Sequence, residues 1–310
     1  VLCIAANKIH LATGSLDRNI KIWLINSGKL VHTLIGHIKG VWLVTTVVLD
    51  TPVTDKTDEL LDMEYNIRTC QGSYFVSGSQ DRTCKIWKLP NCDLQATLTG
   101  HSSSIFGVDI NVEQTIVATG SADKTIRLWR VNNGLCFKTI YTNTNDYVMS
   151  VSLQNDYLAC AFGVHVMIYK LNFTSSNLCT VQKIMETQEH RSRYKTLQNK
   201  PSSYRLLYLI YYYSSVESVQ LSVQNGDDTR EMCLISAGKD GLIKYWNLKT
   251  NQSLHTFSVH NDTTINCVYF DHARIITAGD DCAVRILNFM PSSLSSLAFN
   301  SNNVFRYFSM

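Results

Sequence analysis

The chain of 310 residues is 45% hydrophobic and 17% charged, which excludes a disordered polypeptide and provides for a large buried core. Its 28 basic and 25 acidic residues leave a formal charge of +3, too small in itself to point to nucleic acid. The longest greasy stretch, Leu206 to Tyr213, falls far short of the roughly 20 residues of a spanning helix, so no membrane partner is expected.

In chain order, a first unit over residues 1–35 reads as four short strands: Val1 to Ala6, Ile9 to Thr13, Ile20 to Leu24 and Leu30 to Leu34. A second unit, 36–98, follows Gly36-His37 and is stretched. The step from Trp23 to Trp87 is about half as long again as that from Trp87 to Trp129. The surplus is an acidic insertion over 49–73, holding Asp50, Asp55, Asp58, Glu59, Asp62 and Glu64, with Thr57 placed to cap a short helix. A solvated loop is its plainer reading, against a site for a basic partner.

The third unit, 99–140, is the most regular, with strands over Ile105 to Ile110, Thr115 to Thr119, Thr125 to Trp129 and Cys136 to Ile140. A fourth, 141–185, keeps alternation at Val148 to Leu153, Tyr157 to Ala161 and Val166 to Leu171. A second insertion over 186–215 carries Arg191, Arg193, Lys195, Lys200, Arg205 and six tyrosines. The fifth unit, 216–258, and the sixth, 259–300, complete the array, with Leu294 to Phe299 the candidate for the last strand. The chain opens on Val1 rather than Met, so a fragment whose preceding sequence carries a seventh unit is one expectation.

One hairpin recurs through these units. Phe75 to Trp87 reads Phe-Val-Ser-Gly-Ser-Gln-Asp-Arg-Thr-Cys-Lys-Ile-Trp: an apolar run, a polar turn, then a second apolar run ending in Trp. The same pattern returns at Leu11 to Trp23, Val117 to Trp129, Ile235 to Trp246 and, more weakly, Ile275 to Leu287. Around it stand recurring polar positions. Two complete sets are His37, Ser77, Asp81, Trp87 and His101, Thr119, Asp123, Trp129. Partial sets are Thr13, Asp17, Trp23; Ser236, Asp240, Trp246; and His260, Thr277, Asp281, where Leu287 stands in place of Trp. The fourth unit has Ala159, Gly163 and Tyr169 instead.

These residues resemble WD repeats. The resemblance implies an all-β fold, a β-propeller of four-stranded blades with six recognisable. It also implies that each His, Ser/Thr, Asp, Trp set forms a buried hydrogen-bond chain within a blade. None of the tryptophans is followed by the Asp that names the family; Leu24, Lys88, Arg130 and Asn247 stand there. Buried Trp and Asp each demand a partner, so Asp123→Ala should destabilise more than Asp156→Ala.

A recurring Ser, His and Asp invites a catalytic-triad reading, but a trio repeated beside a core Trp fits structure better than one exposed nucleophile. No two His stand at metal-ligand spacing, and no Cys-x-x-Cys is present. No catalytic residue, metal or cofactor is therefore expected. The ten cysteines, mostly in apolar runs (Cys3, Cys84, Cys136, Cys160, Cys233, Cys267), read as buried hydrophobes of an intracellular, cytoplasmic or nuclear protein.

Basic residues recur before the Trp position (Lys21, Lys85, Arg127, Lys244, Arg285) and around the turn Asp, which points to a basic rim. Candidate partner-binding residues are Arg18, Lys39, Arg82, Lys124, Lys239, Arg191 and Arg193, facing acidic peptides, phosphopeptides or RNA phosphates. The function expected is a non-enzymatic scaffold or adaptor within a multi-subunit protein complex. Two alternatives stand beside it: a nucleolar scaffold of the small-subunit processome in ribosomal RNA processing, because Ser77 to Pro90 is similar to repeats of its propeller subunits, and a substrate-recognition subunit of a ubiquitin ligase.

Overall fold

A computed structural model describes residues 3–6, 10–47, 74–89, 91–111, 115–142, 144–173, 179–187, 215–225, 230–248, 252–260, 263–270, 274–288 and 308–309. The chain divides into two compact units, Val1–Val148 and Met149–Met310.

Six four-stranded antiparallel sheets hold the described strands, each in sequence order. The first is β1 (Cys3–Ala6), β2 (His10–Gly14), β3 (Ile20–Leu24) and β4 (Leu30–Leu34). The second is β5 (Val41–Val47), β6 (Tyr74–Ser79), β7 (Cys84–Lys88) and β8 (Asp93–Leu98), and the third β9 (Ile105–Asn111), β10 (Ile116–Ser121), β11 (Thr125–Arg130) and β12 (Cys136–Tyr141). The fourth is β13 (Val148–Gln154), β14 (Tyr157–Phe162), β15 (His165–Phe173) and β16 (Cys179–Thr187). The fifth is β17 (Val216–Asn225), β18 (Arg230–Gly238), β19 (Leu242–Asn247) and β20 (Gln252–Ser258). The sixth is β21 (Ile265–Phe270), β22 (Arg274–Gly279), β23 (Ala283–Asn288) and β24 (Phe308–Ser309).

Register repeats with the sequence. Trp23 pairs with Leu11, Trp87 with Phe75, Trp129 with Val117 and Trp246 with Leu234. Tyr169 and Leu287 hold the same place opposite Leu158 and Ile275. Between third and fourth strands the register slips just before the aromatic residue, at Ile22/Trp23, Ile86/Trp87, Leu128/Trp129, Ile168/Tyr169 and Tyr245/Trp246. One extra residue of the fourth strand sits at each slip and bends that strand; nothing in the residue pattern announces this bulge.

The core lies between sheets. Phe75 and Trp87 pack with Ala12, Ile20 and Ile22 of the first sheet, whereas Val76, Cys84 and Ile86 pack with Ile105, Val108 and Ile110 of the third. In the second unit Leu234 and Trp246 face Ala159, Val166 and Ile168, while Ile235 and Ile243 face Ile265, Val268 and Phe270. A strand's side chains alternate between faces, so a sheet covered on both sides has second strands buried throughout, as β6 and β10 are from their second residue onward.

Side chains also join first strands within the second unit. Ser150 and Ser152 accept hydrogen bonds from the backbone N–H of Val219 and Leu221. Ser218 and Gln220 do the same for Val268 and Phe270.

Several expectations need correction. Cys84, Cys92, Cys160 and Cys233 are buried, but Cys136, Cys267 and Cys282 are exposed and Cys3 is half-buried; Cys136 opens an edge strand with one face to solvent. The sixth sheet takes Phe308–Ser309 as its fourth strand, paired with Val284 and Ala283, while Leu294 to Phe299 lies outside the described residues. Strand β16 runs to Thr187, two residues into the segment read as the basic insertion. The partner of Trp246 is Leu234, one residue before the expected hairpin start. The acidic insertion with its Thr57 cap, and residues 188–214, also lie outside the described residues.

Candidate functional site

The polar positions are built on a tight turn between second and third strands. In the second sheet Arg82 N–H bonds Ser79 O and Ser79 N–H bonds Thr83 O, with Arg82 at φ 71°. This is a type I turn closed by a left-handed residue. Arg18, Lys124, Gly241 and Cys282 hold the same place, with φ of 75°, 67°, 72° and 58°. The Asp one position earlier caps the turn: Thr83 donates to Asp81 Oδ1 through both its N–H, at 2.9 Å, and its hydroxyl, at 2.6 Å.

From this turn the structure brings together all four members of the set. His37 Nδ1 lies 2.8 Å from Asp81 Oδ2 and its Nε2 2.9 Å from Ser77 Oγ. Trp87 Nε1 donates to Ser77 Oγ at 3.0 Å. A proton on Nδ1 satisfies every member, with Trp N–H donating to Ser, Ser O–H to His and His N–H to Asp. The third sheet repeats it: His101 stands 2.7 Å from both Asp123 Oδ2 and Thr119 Oγ1, and Trp129 donates to Thr119 at 2.8 Å. Both His side chains are essentially buried.

Burial alone would raise the Asp81 carboxyl. Hydrogen bonds from His37, Thr83 and the Ile38 N–H outweigh it and hold the group well below the ordinary carboxylate range. Asp123 behaves alike through His101, Thr125 and the Ser102 N–H. Burial pushes the thiols of Cys84 and Cys160 strongly upward, which makes them inert.

The partial sets are assembled differently. In the first sheet Trp23 donates to Thr13 at 3.1 Å, while Asp17 is exposed and accepts from Asn19 N–H within its own turn. In the fifth, Trp246 donates to Ser236 at 2.9 Å and Asp240 accepts from Leu242 N–H. In the sixth, His260 lies 2.8 Å from Asp281 and 2.9 Å from Thr277. There Trp is missing, and the Arg285 guanidinium reaches back onto Asp281 and the His260 ring.

Sequence reasoning missed Thr83 and Thr125, although Asp-Arg-Thr and Asp-Lys-Thr carried the signal. It also missed Ser79 and Ser121, whose hydroxyls donate to Gly40 O and Ser104 O at 2.9 Å and latch each turn to the connector before its sheet. Arg285 could not be foreseen as a network member from its position alone.

Of the candidate partner-binding residues, Arg18, Lys39 and Arg82 are exposed and, among the described residues, have no ion-pair partner. Lys124 donates to Asn145 at 3.2 Å and Lys239 lies 3.5 Å from Glu217. Arg191 and Arg193 lie outside the described residues. The rim expected from the residues before Trp is corrected: Lys85 and Lys244 are buried. Lys85 donates to Thr97 at 2.9 Å, and the Lys244 ammonium sits 5.9 Å from the Trp246 ring centre. Both are thus held inside rather than displayed. Among the described residues no group of three or more His, Cys, Asp or Glu could hold a metal, and no helix is long and apolar enough to cross a membrane.

Antiparallel four-stranded sheets in series, packed face to face and laced by one repeated side-chain chain, define a β-propeller. Its fold matches the WD40 β-propeller domain of Doa1, with a TM-score of 0.65 at 19% identity, covering 94% of this chain and 79% of that one. The model of the WD domain, G-beta repeat, matches residues 1–23, 65–88, 92–130 and 251–288, which supports a WD-repeat β-propeller family. WD repeat-containing protein pop2 of Schizosaccharomyces pombe is 31% identical over 154 residues, 42% of this chain and 20% of that protein. Eukaryotic translation initiation factor 3 subunit I of Debaryomyces hansenii is 25% identical over 228 residues, 68% of this chain and 58% of that subunit. The chain thus spans about a fifth of the first relative and just over half of the second. WD-repeat relatives are generally scaffolds or adaptors in protein complexes, and the family is generally non-enzymatic.

Proposed function

We propose that this chain is a non-enzymatic scaffold that binds other proteins of a multi-subunit complex through the loops around its turn residues. One observation carries the reading. The titratable side chains that recur most regularly, the His and Asp of the complete sets, are engaged inside their own sheets, while Arg18, Lys39 and Arg82 stand exposed beside them. A His whose two nitrogens are held by a capping Asp and a buried hydroxyl has no free face for acid–base work.

The similarity to a named subunit of an initiation factor supports an assembly rather than a solitary protein. Affinity purification of the tagged chain from its native cells, followed by mass spectrometry, tests this. A reproducible, near-stoichiometric set of partners is expected. Small-subunit processome proteins or ubiquitin-ligase subunits in that set would assign the pathway, and a chain recovered alone would sink the scaffold reading.

A further inference from the structure

We infer that the loops of the first and second sheets form a docking site for an acidic protein segment that inserts one apolar side chain. Leu16 is 65% and Ile38 74% exposed. Leu16 occupies the turn between β2 and β3, and Ile38 the connector between β4 and β5. The turn and the connector touch: a Cβ built on Gly40, two residues after Ile38, would stand 3.0 Å from Leu16 Cδ1.

Fold does not require apolar residues at either position, as the chain's own repeats demonstrate. The place of Leu16, just before the turn Asp, is taken by Gln80, Ala122, Lys239 and Asp280 in other repeats. The place of Ile38, just after the network His, is taken by Ser102 and Asn261. Polar or small residues serve the turn elsewhere, so an exposed Leu and an exposed Ile on touching loops answer to something outside the chain.

The platform is pre-organised. Val41 N–H bonds Ser15 O at 3.0 Å, Gln80 N–H bonds Gly40 O at 3.1 Å, and Ile38 N–H bonds the buried Asp81 carboxylate at 3.0 Å. A partner landing here orders little that is not already fixed.

Charge sets the partner's chemistry. Arg18 and Arg82 in the two turns and Lys39 in the connector between them are exposed. Among the described residues of the two turns and the connector between them, the exposed acid is Asp17, whose Oδ1 is turned onto the Asn19 N–H; Asp81 is internal. Carboxylates flanking an apolar side chain complement this arrangement. Phosphates of RNA would meet the cations, but residues 15–19, 35–40 and 80–83 hold no Phe, Tyr or Trp on which a base could stack, and Leu16 and Ile38 would gain nothing from a phosphate. A protein segment is favoured.

This inference rests on the scaffold reading, and its test separates the two. The purified full chain is applied to arrays of short Asp/Glu-rich peptides bearing a central Leu, Ile or Phe. Matched arrays carry Ser at the centre or Lys for the acids, and a uridine oligonucleotide serves as the nucleic-acid probe. Acidic peptides with the apolar centre should bind, more weakly at higher salt. The variant Leu16→Gln with Ile38→Ser, using residues found at those places in the second and third repeats, should bind them at least about tenfold more weakly with its melting temperature unchanged. Lys39→Glu should weaken binding and flatten its salt dependence. The inference is overturned if no acidic peptide binds, if the Ser-centred peptides bind as well, if the double variant binds like the parent, or if the oligonucleotide binds in preference. A double variant that still recovers every native partner removes this site while leaving the scaffold reading intact; a parent chain that recovers none removes that reading as well.

Discussion

Asp123 receives hydrogen bonds from His101, the Ser102 N–H, and both the N–H and hydroxyl of Thr125. Removing it leaves several buried donors unpaired, each costing about 1–3 kcal/mol. Asp123→Ala should therefore lower the urea midpoint more than Asp156→Ala, in the turn between β13 and β14 of the sheet that lacks the chain; equal shifts would count against the network. The carboxyls of Asp81 and Asp123 are held below their unfolded value of about 3.9. A depressed carboxyl stabilises fully above its unfolded pKa, and that contribution is lost as pH falls through the folded value. Stability should fall as pH is lowered from about 5 to 2, and Asp123→Asn should show a shallower fall, read by denaturation midpoints across that range.

At the scale of the element, the hairpin turn is one backbone shape filled by unlike residues. Four of its left-handed positions hold Arg18, Arg82, Lys124 and Cys282, at a cost of roughly 1–2 kcal/mol each relative to glycine. Only Gly241 is obligatory, because a Cβ there would stand 1.8 Å from His260 O, and its own carbonyl accepts from Val259 and His260 N–H. Gly241→Ala should cost several kcal/mol by forcing that connector away, while Arg82→Gly should raise the thermal midpoint by the equivalent of about 1 kcal/mol. A tolerated Gly241→Ala would contradict the packing of the connector against the turn. The hairpins themselves were legible in the residues, since Gly/Ser/Asp clusters between apolar runs ending in Trp mark both strands and, in all but the fifth sheet, the register. The bulge before each Trp was not, because it arises from pairing with a fourth strand of no distinctive composition. The contact of Arg285 with Asp281 and His260 was not legible either, for its reach depends on the fold around it.

For the whole molecule, the sharing of cores between sheets makes a prediction that sequence neighbours contradict at first sight. Phe75 and Val76 are adjacent in the chain yet belong to different apolar layers, and Ile22, far away, shares the layer of Phe75. In double-mutant cycles Phe75→Leu and Val76→Ala should couple by less than about 0.5 kcal/mol, whereas Phe75→Leu and Ile22→Val should couple by more. The reverse order would mean that the layers are not separate. The residues that made the family recognisable are the ones turned inward. The surface around Leu16 and Ile38 was invisible in the pattern because it departs from the repeat, and only comparison of exposed positions across repeats draws it out.

The hydroxyls and amide that join β13 to β17 and β17 to β21 have a further effect. Backbone amides along a strand edge are where a stray strand from another molecule would begin to attach. Those of Val219, Leu221, Val268 and Phe270 are already engaged by Ser150, Ser152, Ser218 and Gln220. The first strands of the fifth and sixth sheets thus leave none of these four amides open to an incoming strand.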